Sequence, residues 1–118
     1  MDVRPGRGII STYTKKLMKQ TYQMYFGRNT PAGEYVTDDA WESFRDVLSM
    51  TFMSYTIQDV EGAWKGIEED TKLVTVTTKY RDKVNDVCQA YVNLFNQDAV
   101  GLLISEPMTF VTKNSEIY

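Results

Sequence analysis

Apolar and polar positions along the chain follow two rhythms, a period of two in several short stretches and a spacing of three to four in two longer ones. From Met18 to Phe26, the positions Met18, Gln20, Tyr22, Met24 and Phe26 share one side of an alternation. The β-formers Thr21, Tyr22, Tyr25 and Phe26 concentrate there, so the pattern predicts a first strand ended by Gly27. Residues 27–33 read as a loop. Thr37 or Asp38 then offers an N-cap, and Ala40, Trp41, Phe44, Val47 and Leu48 fall on one helical face that needs a sheet to cover. Met53, Tyr55 and Ile57 alternate with Ser54, Thr56 and Gln58, which predicts a second strand from Met53 to Val60. A third is expected from Leu73 to Tyr80, rich in valine and threonine. Arg81 and Asp82 open a second helix, with Val84, Val87, Cys88, Tyr91 and Leu94 on one face and Asn96-Gln97-Asp98 as its stop. The last strand, Ala99 to Ser105, is almost uniformly apolar, as suits a strand covered by a helix or by another subunit.

The order β-α-β-β-α-β predicts an α+β fold, the ferredoxin-like plait, with an antiparallel four-stranded sheet and two helices on one face. The other face stays open, and its apolar and aromatic residues point to self-association. With 118 residues there is room for one domain with its own core. The expected organisation is a flexible basic arm over residues 1–16, a single domain over 17–112 and a tail over 113–118.

Between the second and third predicted strands lies Asp59-Val60-Glu61-Gly62-Ala63-Trp64-Lys65-Gly66-Ile67-Glu68-Glu69-Asp70-Thr71-Lys72. Two glycines and a tryptophan lead into three consecutive acids, which reads as a loop placing carboxylates at a strand entrance. The chain contains no histidine and one cysteine, so most familiar catalytic arrangements are excluded, and any chemistry falls to carboxylates, tyrosines and backbone. Cys88 sits in an apolar helical pattern and reads as a packed thiol of a cytoplasmic protein. No stretch has the length of a membrane span or the core of a signal peptide. A metal site is not expected, since the acids form one short run without the spacing of a calcium loop. Six of the cations, Arg4, Arg7, Lys15, Lys16, Lys19 and Arg28, fall in residues 1–28 against Asp2 alone, leaving seven cations and fifteen anions, a net charge of −8, for the rest. An acidic body disfavours nucleic acid and favours a cationic small molecule.

The acids Glu68, Glu69 and Asp70 are either a solvated turn or groups that neutralise a bound ammonium or sulfonium. Gly62 and Gly66 let backbone approach a ligand there, and Trp64 adds an apolar surface. Tyr55 can present its ring to an adenine or a positive sulfur, or simply pack. Glu106 closes the last strand before Pro107, where a carboxylate commonly does no more than cap a turn.

The block Glu61-Gly62-Ala63-Trp64-Lys65, the glutamates after it, Leu73-Val74-Thr75-Val76 and Asn96-Gln97-Asp98-Ala99-Val100 resemble the small phage-encoded S-adenosylmethionine lyases, formerly called hydrolases or SAMases. The likeness covers roughly residues 53–106. Upstream, Tyr25-Phe26-Gly27-Arg28 with Pro31, Gly33, Trp41 and Phe44 resembles a small uncharacterised bacterial domain family with the same expected fold. The lyase resemblance implies cleavage of S-adenosylmethionine to 5′-methylthioadenosine and homoserine lactone by the substrate's own carboxylate, without cofactor or metal. It also implies a homotrimer with sites between subunits and an anti-restriction role in the cytoplasm of an infected bacterium. It places the key acid at Glu69, with Glu68 as the alternative. Substrate contacts are expected from Tyr55, Glu68, Trp64, Ser105 and Glu106, with backbone at the end of the last strand reading adenine. The competing expectation is a ligand-binding or regulatory trimer without turnover.

Overall fold

The structure is a computed structural model that describes residues 18–114 and 117. The arm expected over 1–16 lies outside the described residues, as do 115, 116 and 118 of the expected tail. The elements run β1 (Gln20–Gly27), α1 (Asp38–Thr51), β2 (Thr56–Trp64), β3 (Ile67–Thr78), α2 (Arg81–Leu94) and β4 (Gly101–Ser105). All paired strands are antiparallel in the order β2-β3-β1-β4, so the chain is an α+β plait of the ferredoxin-like kind. Among the described residues no helix is long and apolar enough to cross a membrane.

Each helix starts and stops for a local reason. Thr37 is the N-cap of α1, its hydroxyl accepting from the Ala40 N–H, and Asp38 and Asp39 place negative charge in the first turn. At the end of α2, Asn96 adopts a left-handed φ of 50°, and Gln97 N–H donates back to the Val92 carbonyl at 3.0 Å. That is the Schellman arrangement, which an asparagine tolerates better than most residues.

The core forms where the helices cover one sheet face. Tyr22, Met24 and Phe26 point there from β1 and Val74 and Val76 from β3, against Trp41, Phe44 and Leu48 of α1 and Val84, Val87 and Tyr91 of α2. Phe26, Phe44 and Tyr91 meet at ring-centroid separations of 4.7 to 5.5 Å, in tilted and edge-on pairs that suit aromatic quadrupoles. Cys88 packs beside them, and burial pushes its thiol up to about 11. Leu94, expected on the same face, is instead exposed at the end of α2.

The largest departure from the sequence pattern lies between β2 and β3. The expected loop is a long hairpin: β2 runs on to Trp64, β3 begins at Ile67, and Lys65-Gly66 alone connects them. Both turn residues have positive φ, 52° and 81°, as a turn of type I′ demands, and Gly66 takes the second without strain. The strand expected from Met53 begins only at Thr56, leaving Met53 fully exposed. Tyr80, expected inside β3, is the N-cap residue of α2. In β4, Leu102 and Ile104 pack on the core while Leu103 faces the open side, so the run is half-buried rather than covered on both faces.

Candidate ligand cleft

Strand alternation sends the three consecutive acids in opposite directions. On β3, Val74 and Val76 face the helices, so Asp70 and Glu68 lie on that side and Glu69 on the open side with Thr71 and Leu73. The acids therefore do not form one cluster. Asp70 accepts from the Tyr35 hydroxyl at 3.0 Å, beside a groove that also holds Arg28, Asp38 and Lys72. Arg28 is buried there as a clamp. It donates to the Val36 carbonyl and to Asp38 Oδ1 and lies 4.5 Å from the centre of the Tyr35 ring. These donations hold the Asp38 carboxyl below its usual range.

Glu69 is placed differently. Its carboxylate lies over Gly27, where an added Cβ would fall within 2.7 Å of all three carboxyl atoms, so only glycine leaves room for it. Oε2 accepts from the Asn29 N–H at 3.1 Å, and the Asn29 side-chain amide donates to the Glu68 carbonyl. Among the described residues nothing donates to Oε1. Behind Gly27, its own carbonyl accepts from the buried Tyr91 hydroxyl at 2.8 Å, tying α2 to the floor under the carboxylate. Burial raises the Tyr91 hydroxyl well above its ordinary value, so it stays a donor.

Around Glu69 opens a cleft of 760 Å³ whose lining includes Tyr25, Gly27, Gly62, Trp64, Gln97 and Gly101. The glycines leave its floor low and its walls mostly apolar. The hairpin tip closes one side by reaching the segment before β4, where Trp64 Nε1 donates to Asp98 Oδ2 at 3.1 Å and Lys65 Nζ at 3.2 Å. The indole donation, then the lysine, lower the Asp98 carboxyl from its ordinary 3.8. Since the folded value is depressed, this latch is complete above about pH 4 and is lost as pH falls through the lowered value. Asp98→Ala is accordingly expected to free the tip and raise acrylamide quenching of Trp64 fluorescence, with Trp41 buried and silent; unchanged quenching would mean that the tip is held by other contacts.

Of the residues singled out from sequence, Glu69 and Trp64 line this cleft. Glu68 is exposed and does not. Tyr55 lies before β2, shares a hydrogen bond with Ser49 of α1 and packs against the core. Ser105 pairs with Thr21, four residues along β1 from the Tyr25–Gly101 pair at the cleft, and Glu106 follows it. Within one chain, then, Tyr55, Ser105 and Glu106 belong to the far end of the sheet. Asn29, Gln97 and Asp98 were absent from the sequence-based set, although all three build this site. The signal for Gln97 and Asp98 is their place in the Asn96-Gln97-Asp98-Ala99-Val100 block, and that for Asn29 is slight, an asparagine two residues beyond a strand-ending glycine.

Among the described residues no group of three or more histidine, cysteine, aspartate or glutamate side chains is arranged to hold a metal ion. The lining instead includes three carboxylates, Glu61, Glu69 and Asp98, in a mostly apolar setting, with Asp98 already taken by Trp64 and Lys65, and this balance favours a cationic group on an organic ligand. No curated protein matches the chain. The family model described as "Protein of unknown function (DUF3574)" matches residues 21–110, from β1 past the end of β4, and the chain belongs to that family.

Proposed function

We propose that the cleft beneath the β2–β3 hairpin binds a small organic cation, and that this ligand is S-adenosylmethionine, cleaved there as by a lyase. The observation that carries the reading is the Glu69 carboxylate, anchored on one oxygen by Asn29 and, among the described residues, without a donor on the other, in the cleft that Trp64 also lines. In the proposed reaction Glu69 takes the substrate's α-ammonium. The substrate carboxylate oxygen attacks its own γ-carbon, the carbon–sulfur bond breaks, and its electron pair stays on sulfur. Methylthioadenosine leaves as a neutral thioether and homoserine lactone remains. No proton need move in the bond-breaking step, so a chain without histidine is not at a disadvantage. Holding the two reacting atoms together can supply roughly 7–11 kcal/mol in well-oriented intramolecular cases. The carboxylate is better spent on the ammonium than on the sulfonium, whose charge disappears in the reaction.

A homotrimer belongs to this proposal, supported by the open sheet face on which Tyr25 and Leu103 remain partly exposed. Binding without turnover is the second reading. It is favoured by the placement of Tyr55, Ser105 and Glu106 away from Glu69 within one chain. Incubation of the purified protein with S-adenosylmethionine, followed by mass spectrometry, is expected to reveal methylthioadenosine and homoserine lactone. Saturable binding with no product would leave the second reading, and neither binding nor product would remove both.

A further inference from the structure

Gln97 carries a feature that the proposed function does not use. Its side-chain Nε2 is removed from solvent and has no hydrogen-bond partner, the one such buried side-chain nitrogen or oxygen among the described residues. Donors in that position are rare in folded proteins, because leaving one unpaired forfeits its hydration with nothing in return. Gln97 also lines the cleft that Glu69 lines. Its backbone is fixed by the Schellman turn, with its N–H on the Val92 carbonyl and Asn96 in the left-handed region. Next to it, Asp98 takes the hairpin latch. The amide therefore hangs from a rigid point at the cleft wall, with a soft terminal torsion that can turn it toward an occupant.

We infer that the Gln97 amide is a specificity-determining donor that reads an acceptor of the ligand, the α-carboxylate of an amino-acid-bearing molecule whose ammonium sits on Glu69. The inference deepens the reading of the cleft as a ligand site and rests on it. A donor and a carboxylate lining the same cleft match the two ends of a zwitterion. One N–H on one carboxylate oxygen leaves the other oxygen free, so in the proposed reaction Gln97 would orient the nucleophile without consuming it. A cation lacking a carboxylate would satisfy Glu69 and leave Gln97 unpaired.

The test compares the full chain with Gln97→Met, which keeps the length and removes the amide, using S-adenosylmethionine and its decarboxylated form as probes in calorimetric titration. The wild type is expected to prefer the carboxylated probe by about tenfold or more, as suits a hydrogen bond to a charged group. Gln97→Met should lose that preference by weakening S-adenosylmethionine alone. A variant that keeps the preference, or a wild type that has none, overturns the inference. The ligand-free proteins supply a second measurement. Because the amide nitrogen is unpaired there, Gln97→Met should raise Tm, on the order of 2–8 °C for a chain of this size. If wild type binds neither probe, the ligand assignment falls separately. The Tm comparison then decides, and a Tm that is unchanged or lower overturns the claim of an unmet donor.

Discussion

Phe26→Ala is expected to lose about 3–5 kcal/mol of folding stability, the range for removing a large aromatic side chain from a closed core. Phe26 is fully buried and contacts Trp41, Phe44 and Tyr91, so both helices and the central strand meet on its ring. Neither helix can move in to fill the gap alone, because Trp41 and Phe44 of α1 also rest on Tyr91 of α2. Since domains of this kind hold only about 5–15 kcal/mol in total, the variant should unfold at a far lower urea concentration with an unchanged slope. A loss under about 1.5 kcal/mol would mean that the aromatic cluster repacks freely.

Glu69→Gln is expected to weaken S-adenosylmethionine binding on the order of 10- to 150-fold and to suppress product formation by at least as much, with little change in Tm. The amide has the volume of the carboxylate, and its oxygen can still accept from Asn29. The change therefore isolates the charge from the shape. Glu68→Gln, on the opposite side of β3, should bind and turn over as wild type does. If Glu68→Gln is the damaging change and Glu69→Gln is silent, the cleft over Gly27 is not the site, and the ligand lies on the helix side of the hairpin.

The helices and β1 were legible in the sequence because each buries one side against a single core, and burial on one side is what produces a period. Thr37 could be picked as a cap, and Tyr22, Met24 and Phe26 as inward, on that ground alone. The hairpin was not legible for the opposite reason. From Glu61 to Glu68 its residues are exposed, so no alternation records which side is in, and Gly62, Trp64 and the acids resemble a loop. The cue that survived was Lys65-Gly66, two residues suited to a tight turn. Within the cleft, Glu69 and Trp64 stood out by type. Asn29, Gln97 and Asp98 did not, because the hairpin and the helix cap, not their local pattern, bring them together. Tyr55 belonged to a plausible set on spacing, yet the chain enters β2 only after it, and its hydroxyl turns to Ser49.

The turn at Lys65-Gly66 has a consequence beyond connecting two strands. With Trp64 facing Ile67, the count of residues from the bend fixes Gly62 opposite Glu69, which the pairing of β3 with β1 holds on the side of Gly27. One residue more or less in that bend would leave β3 where β1 and the core hold it and slip β2 instead, bringing Glu61 or Ala63 opposite Glu69 in place of Gly62. What stands across from the acid is thus decided at the hairpin tip by chain length, several residues away from the carboxylate itself, and the short bend keeps a residue without a side chain beside it.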